Sequence, residues 1–270
     1  MIAAPCHSGR VLFLSIFIHN DSMIKKVRSI SGGDIEVLYE DETVLVINKP
    51  AGMAVHQDSE GRLKNTVADW VMEKYPKMKN VGEPLDDDET ILRPGIVHRL
   101  DKDTSGVLLL TKNQVAYKFL KRQFQEKVIK KVYLALIYGD LKKESGIIDR
   151  PIGRSKHDFR AKATGSTAQG EIRNAVTYYK VIKKYDGYSL LEVRPVTGRT
   201  HQIRVHLKSI SHPIVCDPVY APSKECIPGL KRQALHAMSI EFKTPEGKMV
   251  LVSAPVPIDL KRALANLKQL

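Results

Sequence analysis

The stretch VHRLDKDTSGVLLL, residues 97–110, places charged side chains, among them those of Arg99, Asp101 and Asp103, between apolar sequence on both sides. The apolar residues 96–97 and 107–110 are typical of buried strands. The charged residues between them are therefore expected in a loop that is held rigidly at the edge of a sheet. Because such loops often carry catalytic groups, this loop is the first candidate for a functional site.

The sequence around this loop predicts short strands and hairpins with few helices. Residues 35–39 and 43–48 are β-rich and are separated by a polar turn, which predicts a hairpin. Further strands are predicted at 130–140, 175–183 and 188–194. This pattern predicts an α+β fold with a mostly antiparallel mixed sheet flanked by helices.

Apolar spacing and capping residues predict four helices. The first begins at Thr66, and the second spans about 113–126 with Val115 on its apolar side. The third follows Thr200 as its N-cap, and the fourth is an amphipathic segment near 258–267.

Two segments have too little apolar periodicity for regular structure to be predicted. Residues 77–93 include the acidic run DDDE and are expected to form a solvent-exposed loop. Residues 145–174 are rich in Gly, Arg, Lys, Ser and Thr, and are expected to form a basic, mobile excursion from the core.

The charge balance favours a polyanionic partner. The chain of 270 residues has 43 Lys+Arg against 30 Asp+Glu, which gives a net charge of +13. Nucleic acid is the first candidate for such a partner, although a basic composition also occurs without one. At 43% hydrophobic residues, the chain can bury a large core.

The cysteines and the amino-terminal region indicate the cellular compartment of the protein. The chain has three cysteines, Cys6, Cys216 and Cys226. Their number and parity do not suit a disulfide framework, and no C-x-x-C pair suggests zinc, so a reducing cytoplasm is expected. The apolar run 11–18 is shorter than the roughly 20 residues that span a bilayer, so no membrane span is expected. Residues 1–33 are interpreted as an extension, disordered or not native, with Met23 as a candidate start.

Asp101 has two interpretations. Aspartates in turns often accept hydrogen bonds from nearby backbone amides, which explains Asp103 well and would also explain Asp101. Asp101 could instead be a catalytic carboxylate. A glycosidase pair with Asp103 is not favoured, because such carboxylates stand ~5 to 9.5 Å apart and usually come from separate elements.

Arg204 is predicted to lie at the boundary of the core, beside the apolar stripe that Ile203 and Leu207 form in the third helix. A guanidinium there needs a carboxylate or phosphate partner, because unpaired charge is costly to remove from water. An ordinary structural ion pair is one interpretation. If the partner is Asp101, Arg204 would keep that carboxylate ionised and oriented, as a nucleophile requires.

Tyr133 and the histidines are further candidates for a site. Most tyrosines in strands are packing residues, but the face-mates of Tyr133, Ala135 and Ile137, are apolar, so its ring could also form the floor of a pocket. His201 and His206 would lie ~140° apart around one helix, so a shared metal is not favoured.

Five sequence blocks, in order, closely resemble the RNA pseudouridine synthases of the ribosomal large-subunit (RluA) type. The resemblance extends from residue 35 to the end of the chain. The blocks are YEDETVLVINKPAGMAVH (39–56), GIVHRLDKDTSGVLLLTK (95–112), KKVYLALIYG (130–139), PVTGRTHQIRVHL (195–207) with HPIVCDPVY (212–220), and RQALHAMSIEF (232–242).

The resemblance implies roles for individual residues. Asp101 would be the catalytic residue, Tyr133 would stack on the target base and Arg204 would pair with the aspartate. Arg99 would help to occupy the space that the extracted base leaves, and Leu235 would pack beneath the site. The full set of expected substrate contacts is Arg99, His98, Thr104, Leu235, Arg199 and His201. No metal and no organic cofactor is implied.

The implied reaction converts specific uridines in structured RNA to pseudouridine. The target base must first be swung out of its stack, which costs a few kcal/mol. Asp101 could add to the sugar, add to the base or remove a proton, and the sequence leaves these open. The expected substrate is ribosomal rather than transfer RNA, and the expected protein is a cytoplasmic monomer.

Two departures from the family pattern and two rival functions accompany this expectation. Cys216 stands where the family usually has glycine, and residues 1–33 are too few for the S4-type RNA-binding domain of many relatives. Residues 34–270 are therefore expected to form a catalytic domain that recognises its target alone. The rivals are a catalytically silent RNA-binding protein and a metal-dependent nuclease, of which the second lacks a clustered ligand set.

Overall fold

The structure is a computed structural model that describes residues 35–57, 63–83 and 93–270. Its helices are α1 (Val67–Lys74), α2 (Gln114–Gln125), α3 (Gln202–Ser209) and α4 (Ile258–Ala265), with short 3-10 helices at Pro76–Met78 and Gly165–Thr167. Its strands are β1 (Glu36–Glu40), β2 (Val44–Lys49), β3 (Ser105–Thr111), β4 (Lys130–Tyr138), β5 (Ser145–Asp149), β6 (Ile152–Ser155), β7 (Lys162–Thr164), β8 (Ala168–Arg173), β9 (Val176–Tyr185), β10 (Tyr188–Pro195), β11 (Leu235–Lys243) and β12 (Met249–Ser253).

A nine-stranded sheet in the order β1-β2-β3-β11-β4-β10-β9-β5, with β12 paired to β11, forms the frame. Its pairings are antiparallel except for β3 with β11, which are parallel. The predicted α+β class with a mostly antiparallel mixed sheet is confirmed. Because β11 lies between β3 and β4, the loop that precedes β3 comes close to Tyr133 on β4.

The apolar run that follows the charged loop becomes the wholly buried strand β3. Leu108 and Leu110 pack into one core cluster, which includes residues of α1, whereas Val107 and Leu109 pack into another on the opposite face. A strand that is covered on both faces needs a continuous apolar run rather than an alternating one. This two-sided burial fixes where the preceding loop ends.

The expectation of a mobile excursion at 145–174 is wrong. Strand β5 joins the edge of the main sheet, and β6, β7 and β8 form a second sheet of three strands. A small apolar cluster anchors this second sheet against α3, and it includes Ile152, Ala161, Ala175, Val205 and Tyr220. Backbone pairing and a small number of buried side chains are enough to order a segment in which most other side chains are exposed.

Helix boundaries agree with the sequence at three of the four predicted starts: at Thr66, at Asn113 and near Ile258. Thr66 caps α1 through a capping box with Asp69, and Asn113 caps α2. The prediction of Thr200 as N-cap of the third helix is wrong, because His201 takes that position with a left-handed backbone (φ 56°) and α3 begins at Gln202.

The predicted apolar side of α2 is also wrong at Val115, which is 73% exposed. The stripe that faces the sheet instead contains Ala116, Leu120 and Gln123, at spacings of four and three residues. Val115 lies next to this stripe in sequence, and a step of one residue rotates it about 100° away.

Two further expectations are modified. The stretch 77–83 is not simply a solvent-exposed loop, because Met78 and Val81 are buried, and the acidic run lies outside the described residues. Cys216 and Cys226 form a disulfide pair, with Cα atoms 5.0 Å apart. The cysteine count did not predict this pair. The extension 1–33 lies outside the described residues. In the described ranges, no helix is both long enough and apolar enough to cross a membrane.

Candidate active site

A buried lysine holds the charged loop 97–104 in place. The Lys49 ammonium is fully buried and donates to the carbonyl oxygens of Pro50, Met53 and Lys102 at 2.8, 2.8 and 2.9 Å. Burial lowers the pKa of Lys49 to about 7, although the nearby Asp103 and Asp101 oppose this. Together with the turn hydrogen bond from Thr104 N to Asp101 O (3.1 Å), these contacts hold the loop rigidly, as its sequence predicted.

The side chain of Asp101 contacts that of Arg204 on α3. Arg204 Nη1 donates to Asp101 Oδ2 at 3.0 Å, and the two side chains are 5% and 19% exposed, the aspartate being the more open. Burial disfavours the charged form of Arg204, but hydrogen bonds and charge from Asp217, then Asp101, outweigh burial and raise the pKa of Arg204. The guanidinium therefore stays charged and holds the Asp101 carboxylate in one orientation.

Asp217 completes this group, and the sequence reasoning missed it. Its two oxygens accept from Arg204 Nε at 2.7 Å and Nη2 at 2.9 Å. The backbone amides of Val219 and Tyr220 also donate to Oδ1, at 3.0 and 3.1 Å, so this fully buried carboxylate is itself fixed. The signal that could have found it is its place in the block HPIVCDPVY, one residue after Cys216.

Cys216 has a left-handed backbone (φ 57°), a conformation that glycine adopts more readily than residues with a Cβ. A residue with a Cβ adopts this conformation at a cost of about 1 to 2 kcal/mol. The chain accepts that cost and still presents Asp217 to Arg204, so this departure from the family pattern leaves the ion pairs intact.

Tyr133 and Leu235 lie on the neighbouring strands β4 and β11, close to Asp101. Burial, and then the charge of Asp101, raise the pKa of Tyr133, so its ring stays a neutral phenol. Leu235 is buried and pairs in register with Ala135 of β4. Tyr133 therefore offers the cleft an aromatic surface, and Leu235 contributes an apolar one.

A single cleft of about 560 Å³ gathers every residue that the sequence predicted for the site. They are His98, Arg99, Asp101, Thr104, Tyr133, Arg199, His201, Arg204 and Leu235. The cleft thus brings together residues of the loop before β3, of β4, of β11, of the segment before α3 and of α3 itself, which are far apart in sequence. No group of three or more His, Cys, Asp or Glu side chains that could hold a metal occurs among the residues described.

Several of these side chains already have partners, which limits what they can do. His98 Nε2 accepts a hydrogen bond from Leu109 N at 2.9 Å, and burial followed by the charge of Lys131 lowers the pKa of His98 to about 3. Thr104 Oγ1 accepts from Gln233 at 3.3 Å. Both side chains are therefore better suited to shaping the cleft than to proton transfer.

The other predicted residues differ in whether their side chains already have hydrogen-bond partners. Arg99 is exposed at the cleft and has no hydrogen-bond or ion-pair partner within the described part of the chain. Arg199 Nε donates to Asn174 O at 3.3 Å, and His201 Nδ1 lies 3.1 Å from Tyr220 Oη. Tyr220 also stacks beneath Arg204, with the guanidinium carbon 5.2 Å from its ring centre. Arg99 is thus the most available cation beside Asp101.

Comparison with known proteins gives consistent results. Residues 43–209 match the family of RNA pseudouridylate synthases. The chain is 38% identical over 237 residues to an uncharacterized RNA pseudouridine synthase of Bacillus subtilis, covering 87% of this chain and 74% of the relative. It is 38% identical over 243 residues to ribosomal large subunit pseudouridine synthase D of Nitrosomonas europaea, covering 87% and 66% respectively. The solved structure of human RNA pseudouridylate synthase domain containing 1 matches with a TM-score of 0.69 and 26% identity, over 90% of this chain and 91% of that one.

Proposed function

The chain belongs to the RNA pseudouridine synthase family, of the RluA type, and from this premise we propose that it converts uridine to pseudouridine in ribosomal RNA with Asp101 as its catalytic carboxylate. The observation that carries the proposal is the 3.0 Å contact between Asp101 and Arg204 in a cleft that also contains the Tyr133 ring. Asp217 holds the far side of Arg204 and acts as a positioning residue.

The chemistry needs a carboxylate that stays ionised while the base is exchanged. The bond between N1 and C1′ breaks, the uracil turns within the cleft, and a bond between C5 and C1′ forms. The proton on C5 is lost and N1 gains one, so no atom enters or leaves overall. Asp101 can attack the sugar, attack the base or remove the C5 proton, and each use depends on the orientation that Arg204 gives the carboxylate.

The cleft also suits a base that has left its stack. Unstacking costs a few kcal/mol, which stacking on a side-chain ring and contacts to the RNA backbone can offset. Tyr133 supplies the ring. Arg99, exposed and unpaired among the described residues, is placed to fill the space that the extruded uridine leaves in the RNA.

The choice of RNA rests on the relatives. Several of them are named ribosomal large subunit pseudouridine synthases, which supports ribosomal over transfer RNA as the substrate. The proposal further takes residues 34–270 as one catalytic domain that acts as a cytoplasmic monomer. Light scattering of the purified protein that gives a dimer mass would contradict the monomer.

Release of tritium from C5 of uridine tests the proposal. Ribosomal RNA is transcribed in vitro with [5-³H]uridine and incubated with the wild type, Asp101→Asn and Asp103→Asn. Wild type and Asp103→Asn should release label, because no side-chain hydrogen bond ties Asp103 into the site among the described residues. Asp101→Asn should release none. Equal release from Asp101→Asn and wild type would contradict the role of Asp101, and binding without release by the wild type would favour the silent RNA-binding rival.

A further inference from the structure

The cleft continues past Tyr133 to a second end that the proposed chemistry does not use. Five side chains of α2, the turn after it and the start of β4 line this end: Lys121, Phe124, Gln125, Lys127 and Lys131. We call these residues the lysine end of the cleft. Its composition, three cations around one ring, differs from that of the Asp101 end.

Lys131 is half-buried and has no anion among the described residues, whereas Lys127, which also has none there, is exposed to solvent. The Lys121 ammonium pairs with Glu83, and the neighbouring Lys130 donates to Glu241 at 2.6 Å. Within the part of the chain that the structure describes, Lys131 has neither a carboxylate nor a hydrogen-bond acceptor; its Nζ lies 5.9 Å from the centre of the Phe124 ring. Burial lowers the pKa of Lys131 to about 8. A half-buried cation without an anion is costly for the folded protein, and a bound anion would relieve that cost.

Strand geometry places Lys131 beside the proposed base site. Lys131 and Tyr133 are two residues apart on β4, so their side chains project to the same face about 6.6 Å apart along the strand. Both line the cleft, whereas Lys130, whose side chain projects to the opposite face, does not. An anion at Lys131 would therefore lie within one nucleotide of a base on the Tyr133 ring.

The surroundings of Lys131 favour a sugar-phosphate over a free carboxylate group. The Phe124 ring stacks on His98 with centroids 4.8 Å apart and planes at 27°, and burial keeps His98 neutral. This gives one flat apolar surface next to one cation. An apolar surface beside a single charge suits a ribose with its attached phosphate.

We propose that the lysine end is a second RNA subsite, in which Lys131 binds the phosphodiester next to the flipped uridine and Lys127 binds the strand at the mouth. This inference rests on the proposed function, because the uridine on Tyr133 sets the position of that phosphate. Phe124 supports the adjoining ribose.

The salt dependence of RNA binding tests this subsite. The probe is a hairpin RNA with an all-uridine loop, and its dissociation constant is measured at several salt concentrations for the wild type, Lys131→Gln, Lys131→Arg and Lys130→Gln. Removing one ion pair with a phosphate of single-stranded RNA reduces the slope of log affinity against log salt by about 0.7. Lys131→Gln should show a reduction of about this size, and Lys131→Arg should keep the wild-type slope. Lys130→Gln removes the same charge from the adjacent residue and should leave the slope unchanged.

The outcomes separate this inference from the proposed function. A Lys131→Gln slope equal to that of the wild type overturns the subsite, and so does an equal reduction in Lys130→Gln, since that would reflect net charge alone. In tritium release, Lys131→Gln should raise KM several-fold and leave kcat within about twofold, because it removes binding shared by the ground and transition states. If the wild type releases no tritium, the proposed function fails, whereas the slope still reports whether Lys131 contacts RNA.

Discussion

Arg204 illustrates how much one side chain can decide at the scale of the residue. Its planar fork donates to Asp217 through Nε and Nη2 and to Asp101 through Nη1, so both carboxylates are fixed by one rigid group. A lysine carries the same charge but offers a single point of contact. The geometry of the guanidinium, and not only its charge, therefore orients Asp101.

We expect Arg204→Lys to lower kcat for tritium release by about 100-fold, because a small displacement of a catalytic group can cost that much. Arg122→Lys is the matched control, since Arg122 pairs with Glu126 on the exposed face of α2. Kinetics at saturating RNA measure the effect. Activity of Arg204→Lys within about twofold of the wild type would show that charge alone suffices.

A buried histidine gives the folded protein a pH dependence. Burial lowers the pKa of His236 to about 4, and its Nδ1 lies 3.0 Å from Ser105 Oγ. The unfolded chain, with a pKa near 6.5, binds this proton at a higher pH than the folded protein does. As pH falls from about 6.5 to about 4, protonation therefore favours unfolding by roughly 3 kcal/mol.

Urea unfolding of wild type and His236→Gln across this pH range checks the expectation. Below pH 6.5, the free energy of unfolding of the wild type should fall more steeply than that of the variant. The difference in free energy of unfolding between the two proteins should therefore shrink towards pH 4. Parallel curves for the two proteins would show that His236 contributes nothing to the pH dependence.

At the scale of the element, the parallel pairing of β3 with β11 decides whether the site forms. The two strands meet at His236 with Ser105 and at Ala237 with Gly106. Gly106 has a φ of 112°, and a Cβ there would overlap the carbonyl oxygen of Ala237. Only glycine lets the end of the charged loop come this close to β11.

We expect Gly106→Ala to reduce the free energy of unfolding by roughly 3 kcal/mol or more, since it combines backbone strain with overpacking. Gly187→Ala is the control, because Gly187 also has a positive φ (75°) but a Cβ there would meet nothing within 4 Å. Its cost should be about 1 to 2 kcal/mol. Chemical denaturation of both variants distinguishes the two contributions, and equal destabilisation would rule out the close approach to Ala237 as the cause.

At the scale of the whole molecule, the charge of +13 acts together with the cleft. A net positive surface attracts RNA without regard to sequence, whereas the cleft selects an unstacked base. Salt is therefore expected to affect the affinity of the protein for RNA differently from its selection of an unstacked base.

We expect affinity for ribosomal RNA to fall at least tenfold between about 50 and 200 mM salt, as several phosphate contacts require. Filter binding at a series of salt concentrations measures this. A flat response would contradict an electrostatic role for the excess of basic residues.

Local sequence patterns were enough to predict much of the secondary structure of this protein. The hairpin of β1 and β2, the Thr66 and Asn113 caps and the rigid loop before β3 follow from apolar periodicity and side-chain capping, which act over a few residues. The resemblance also placed Asp101, Tyr133 and Arg204 in one site, and the cleft contains all three. Where prediction failed, at 145–174 and at Val115, tertiary packing outweighed local composition.

Which charged side chains meet depends on the packing of elements that are distant in sequence. Asp101 and Arg204 are 103 residues apart, and they meet because the fold brings the loop before β3 next to α3. The role of Asp217 and the position of Lys131 emerged in the same way, since the partner of a charged side chain depends on the packing of distant elements. Periodicity records which side of an element is buried, but it carries no information about the element that buries it.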